Sequence, residues 1–103
     1  MALHARKKLE ITVEKRRLQE VIDLLDRDGE VTGYTILRTL GGRGHTGERL
    51  PQPYSDVLDT MVVVTIVKAE VAERLLVALA PLIEEIVGIV AVSDVQVMRP
   101  GHF

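Results

Sequence analysis

The chain opens on an alternation, with Leu9, Ile11 and Val13 on one side and Glu10, Thr12 and Glu14 on the other. A period of two predicts a strand with one wet face. The period then changes. Leu18, Val21, Ile22 and Leu25 recur at three- and four-residue spacing with charges between them, which predicts an amphipathic helix of about 12 residues. Gly29 follows the last apolar position, where glycine takes a left-handed cap at low cost. Gly33 to Leu40 is rich in β-branched residues and reads as a second strand. From Gly41 to Asp59 periodicity is lost among four glycines and two prolines. A stretch this long without structure of its own is unusual in a small domain and marks a functional or disordered loop. Met61 to Val67 reads as a strand apolar on both faces, and Val71, Ala72, Leu75, Leu76 and Leu79 return to helical spacing. Pro81 is expected to end that helix and to start a short second one, Pro81 to Ile86. Gly88 then opens a last strand, Ile89 to Met98.

The order β-α-β-β-α-β predicts an α+β, ferredoxin-like fold with a four-stranded antiparallel sheet and a long loop between strands 2 and 3. Residues 1–103 read as a single domain, with 41–59 as a mobile effector loop. Two helices cover only one face of such a sheet. A sheet with a wet face should alternate, yet Met61 to Val67 does not, and Val90, Val92, Val95 and Val97 fall on both faces of the last strand. The bare face is therefore expected to carry a continuous aliphatic patch, of the kind that marks an interface. The pattern predicts an obligate oligomer; the other solution is that the loop or the chain ends fold over that face.

Composition narrows the function. The 103 residues carry 13 Lys+Arg against 15 Asp+Glu, a net charge of −2. This argues against a module held to nucleic acid by phosphate neutralisation. One Phe, two Tyr and no Trp leave little for base stacking. The absence of Cys removes disulfides, thiolate metal sites and Cys nucleophiles. No apolar run approaches membrane-spanning length, and basic Arg6-Lys7-Lys8 does not lead into a signal-like apolar stretch. The expected setting is the cytoplasm.

The chemistry that stands out is Gly41-Gly42-Arg43-Gly44-His45, directly after a strand. Glycines let a backbone approach an anion, and consecutive amides can form an anion-binding nest. Arg43 adds charge, and Arg38 and Arg49 make the loop base locally basic. The same composition also suits a plain hinge. The spacing is neither a P-loop nor a dinucleotide fingerprint. His4, His45 and His102 are far apart in sequence and none pairs with a carboxylate at ligand spacing, so no metal site is expected. Asp56 and Asp59 would bind a hard cation only alongside other oxygens. Arg99, before Pro100, could pair with phosphate across a subunit boundary or remain solvated. No catalytic constellation stands out, and the protein is not expected to be an enzyme.

Lys7-Lys8-Leu9-Glu10, Leu18 to Leu25, Gly29 and Thr32-Gly33-Tyr34-Thr35 resemble the start of PII signalling proteins, and Val92-Ser93-Asp94-Val95-Gln96-Val97 resembles their last strand. The likeness spans nearly the whole chain. It is nearest to the PII-like group associated with carboxysomes and bicarbonate transporters, through the Gly-Tyr-Thr strand, the Gly-Gly-Arg-Gly loop root and the stop soon after Arg99. The resemblance implies a homotrimer that binds adenine nucleotide in clefts between subunits. It implies Gly33 and Thr35 against ribose and adenine, Gly41 and Gly44 near phosphate, Gly88 in the turn covering phosphate from the far side, and Arg99 in the terminal arginine region. It also implies bicarbonate as a second ligand at the loop root, Gly42, Arg43, Gly44 and His45. The turn Val87-Gly88-Ile89-Val90 is short and lacks the lysine of PII proteins, which favours ADP or AMP over ATP. The nucleotide and bicarbonate are regulatory ligands; no obligatory cofactor is implied. The partner implied is a membrane transporter or a carboxysome-associated protein, read by the loop, with no nucleic acid involved.

Three other classes share this topology. A metal-tolerance protein of the CutA type would take up metal without nucleotide. A small ferredoxin-like oligomeric enzyme would need an acid–base or aromatic-lined pocket, for which this sequence has few residues. An amino-acid-binding regulatory module would be separated by ligand screening.

Overall fold

In a computed structural model, residues 2–44, 47–49, 59–86 and 88–103 are described. Strand β1 (His4–Glu14) leads through a 3-10 turn into helix α1 (Leu18–Arg27). Strand β2 (Thr35–Arg38) is followed by two short strands, β3 (Gly42–Gly44) and β4 (Gly47–Arg49). Strand β5 (Thr60–Val67), helix α2 (Ala69–Glu85) and strand β6 (Ile89–Val97) complete the order, before a 3-10 turn at Pro100–His102. The main sheet is antiparallel in the order β2-β5-β1-β6. This is the ferredoxin-like βαββαβ arrangement anticipated from the periodicity.

The core lies between one face of the sheet and the two helices. Leu9, Ile11 and Val13 of β1, with Val63 and Val67 of β5, are closed off by Val21, Ile22 and Leu25 of α1 and by Val71, Ala72, Leu75 and Leu79 of α2. Each Leu, Ile or Val of this set contributes about 1.5–3 kcal/mol of burial. Arg17, just ahead of α1, bonds Glu20 at 2.8 Å and reaches Glu85 at the end of α2 at 3.2 Å.

Four details differ from the sequence reading. First, α2 runs unbroken through Pro81. Pro81 lies on the exposed side of the helix, and the residue four back, Val77, is 76% exposed. The carbonyl that loses its partner thus belongs to the solvent side, where water can bond it. Second, Gly29 is not left-handed. Helix α1 ends instead at extended Asp28, whose carboxylate accepts from the Glu30 amide at 3.0 Å and whose carbonyl accepts from the Val31 amide at 3.2 Å. A side chain that bonds the backbone two residues on competes with helix continuation and ends it.

Third, the loop root is not structureless. β3 and β4 form an antiparallel ribbon with Gly42 opposite Arg49, Arg43 opposite Glu48 and Gly44 opposite Gly47. Its pairing is backbone to backbone, so it leaves no hydrophobic period in the sequence. Fourth, the bare sheet face is not one continuous aliphatic patch. β1 lies between β5 and β6 and sets Lys8, Glu10 and Thr12 between Val62, Val64 and Ile66 on one side and Ser93, Ala91 and Ile89 on the other. The alternation of β1 therefore divides the face into two apolar bands.

Candidate ligand cleft

The strands of the sheet have unequal lengths, and that opens a notch. β2 pairs with β5 only over Thr35–Arg38, opposite Val64 to Met61. The β2 side of Thr65, Ile66 and Val67 is left without a strand. The preceding segment is held there by a side chain instead: the Thr65 hydroxyl donates to the Gly33 carbonyl at 2.8 Å. Thr65 is 2% exposed, and a buried hydroxyl needs such a partner.

The notch is a cleft of about 430 Å³. Thr32 to Thr35 form one side, Val64 to Ile66 the floor, and Arg99, His102 and Phe103 the other side. A Cβ added at Gly33 would meet nothing within 4 Å, so a ligand could approach this backbone closely. Tyr34 stands at the rim, 37% exposed. Partial desolvation and the Asp26 carboxylate push its phenol above the ordinary range. Arg99 is exposed, and no acidic partner holds it among the described residues.

Of the residues singled out for nucleotide, the structure brings Gly33, Thr35 and Arg99 together. Gly41, Gly42 and Gly44 lie beyond the other end of β2, at the loop root. There the Arg38 guanidinium pairs with Asp59, and the Thr39 amide and hydroxyl both donate to the Thr60 carbonyl at 3.0 Å. The backbone of Arg43 sits within β3, and His45 lies outside the described residues. Gly88 is also at that far end of the sheet. A Cβ there would stand 3.0 Å from Ile83 Cδ1 and 3.3 Å from the Thr12 carbonyl oxygen, so close packing of the turn against β1 already accounts for this glycine. The cleft also takes in Thr32, Thr65, His102 and Phe103, which sequence reasoning had not placed there. Thr65 was hidden inside an apolar strand; Pro100-Gly101 was the available sign that the chain turns back after Arg99.

Among the described residues no cluster of three His, Cys, Asp or Glu could hold a metal ion, and no helix is long and apolar enough to cross a membrane.

The family model for nitrogen regulatory protein P-II matches residues 6–102. The chain belongs to the P-II family. Its backbone superposes on CPII, a nitrogen regulatory PII-like protein from Thiomonas intermedia K12 solved with ADP, AMP and bicarbonate, with a TM-score of 0.89. The two are 36% identical over 99% of this chain and 96% of that one. A second CPII structure, with ADP and bicarbonate, gives 0.87 at 37% identity over 99% and 97% of the two chains. A putative PII-like signalling protein from Thermus thermophilus gives 0.83 at 27% identity, covering 100% and 99%. No curated protein matches the chain. The P-II fold supplies the βαββαβ frame, and in this member the notch beside β2 joins an open glycine backbone to an arginine with no acidic partner among the described residues.

Proposed function

We propose that this P-II family member is a non-catalytic sensor that binds ADP or AMP, together with bicarbonate, and passes the occupancy to a partner protein through residues 41–59. The observation that carries the reading is the cleft in which Gly33, Thr35 and Arg99 meet. An open glycine backbone suits a flat base and ribose, and an arginine with no acidic partner among the described residues suits a phosphate. The CPII structures with ADP, AMP and bicarbonate support the choice of ligands.

In this reading the working unit is a homotrimer. The two apolar bands on the bare face are buried between subunits, and the cleft of one chain is completed by the Gly88 turn of its neighbour. Gly41 and Gly44 offer amides to phosphate, and bicarbonate binds at the loop root through Gly42, Arg43, Gly44 and His45. Residues 41–59 form the effector arm. Ordering backbone costs about 1–2 kcal/mol per residue, so a ligand shifts the arm only through contacts it makes in one state and not the other. The partner is a bicarbonate transporter or a carboxysome-associated protein in the cytoplasm.

Calorimetry with AMP, ADP, ATP, cyclic AMP and bicarbonate tests the ligands. Heat with ADP and AMP, and ADP recovered unchanged, is expected; silence with every nucleotide overturns the reading. Light scattering tests the assembly: a mass three times 11.4 kDa is expected, and a stable single chain at micromolar concentration removes the intersubunit site.

A further inference from the structure

One side of the cleft is not part of the sheet. It is the 99–103 segment, which leaves β6 and passes the end of β1 to reach the start of β2. The turn at Pro100–His102 is closed by the His102 amide on the Arg99 carbonyl at 3.1 Å and the Phe103 amide on the Pro100 carbonyl at 3.2 Å. Two side chains tie it down. β1 pairs with β5 only from Lys7 onward, so Arg6 projects past that pairing. Its Nε donates to the Phe103 carbonyl and its Nη2 to the Pro100 carbonyl, both at 3.3 Å, while Nη1 donates to the Ala5 carbonyl at 2.8 Å. From the other side the Thr32 hydroxyl donates to the His102 carbonyl.

All three nitrogens of Arg6 are thus engaged by backbone oxygens, two of them in the 99–103 turn. The planar guanidinium can bridge two carbonyls of one turn, which a single ammonium cannot do in the same geometry. We propose that Arg6 and Thr32 are positioning residues for the ligand cleft: together they clamp the 99–103 turn so that Arg99 and His102 face the anionic end of a nucleotide. This rests on the nucleotide-binding reading above and adds to it the residues that build the phosphate side. Arg6 acts through the turn, with its charge as a background to Arg99.

The test is ADP titration of the wild-type protein, Arg6→Lys, Arg99→Ala and the double variant, with adenosine as a ligand lacking phosphate. Arg6→Lys keeps the charge and loses the clamp. It is expected to weaken ADP about tenfold and adenosine less than twofold. Because both single changes remove the same phosphate contact, the double variant should bind ADP within about twofold of Arg99→Ala. Thr32→Val supplies a second variant, expected to weaken ADP about threefold. Amide exchange without ligand should quicken at residues 101–103 in Arg6→Lys and stay unchanged in the β1 core. Full ADP affinity in Arg6→Lys, equal losses for ADP and adenosine, or additive losses in the double variant overturn the clamp and leave the nucleotide reading standing. No ADP binding by the wild-type protein overturns both.

Discussion

The Thr65 hydroxyl donates to the Gly33 carbonyl across 2.8 Å, from a side chain that is 2% exposed. This bond takes the place of the strand pairing that β2 does not supply, and it ties the glycine backbone on one side of the cleft to the strand that forms its floor.

Thr65→Val keeps the shape and deletes the donor. The Gly33 carbonyl then loses its partner in a part-buried site, which costs about 1–2 kcal/mol. Urea denaturation should show that loss, and amide exchange should quicken at residues 32–34. An unchanged midpoint would mean that water replaces the hydroxyl without cost.

Two glycines should respond in opposite ways. At Gly88 a new Cβ meets Ile83 Cδ1 at 3.0 Å, the Thr12 carbonyl oxygen at 3.3 Å and Ile86 Cγ1 at 3.4 Å. The isoleucine tip can move, but the carbonyl belongs to the central strand. Gly88→Ala should destabilise by about 1–3 kcal/mol. At Gly33 the space is open, so Gly33→Ala should leave stability within about 0.5 kcal/mol while weakening ADP at least tenfold. Parallel denaturation and titration of both variants separate packing from binding.

Pro81 interrupts the hydrogen-bond ladder of α2 on its exposed side. Pro81→Ala restores an amide for the Val77 carbonyl and should raise stability by about 1–3 kcal/mol. A fall in stability would show that the helix trajectory set by the proline is needed for packing.

Acid should release one link between α1 and α2. The Arg74 guanidinium donates to Asp28 at 3.0 Å, and the Glu30 amide adds a further bond. Hydrogen bonding from Arg74 first, and from the Glu30 backbone second, holds the Asp28 carboxyl below its ordinary value of 3.8. A depressed carboxyl contributes stability above its unfolded value and loses it as the pH falls through the lower folded value. Denaturation midpoints should therefore decline below about pH 4 in the wild-type protein, and less steeply in Asp28→Asn. Identical slopes would remove Asp28 from the acid response.

The element order was legible because burial writes periods into a sequence. Leu9, Ile11 and Val13 alternate because one face of β1 is buried; Val21, Ile22 and Leu25 repeat at helical spacing because one face of α1 is. Where structure rests on backbone bonds, no period appears. The β3–β4 ribbon at Gly42–Gly44 and Gly47–Arg49 and the Asp28 stop were therefore missed. So was the continuity of α2, since composition does not tell whether a proline sits on the wet side of a helix.

The sequence by itself determined the βαββαβ order and the apolar faces that make the core, and its resemblance to PII proteins marked Gly33, Thr35 and Arg99 as residues to watch. Only the tertiary structure decided that these three share one cleft, that Gly41 and Gly88 lie at the other end of the sheet, and that Arg6 reaches across to Pro100 and Phe103. The physical reason is range. Periodicity reports which way a side chain faces within its own element, whereas strand order and strand length decide which distant residues meet, and neither leaves a local mark on the chain.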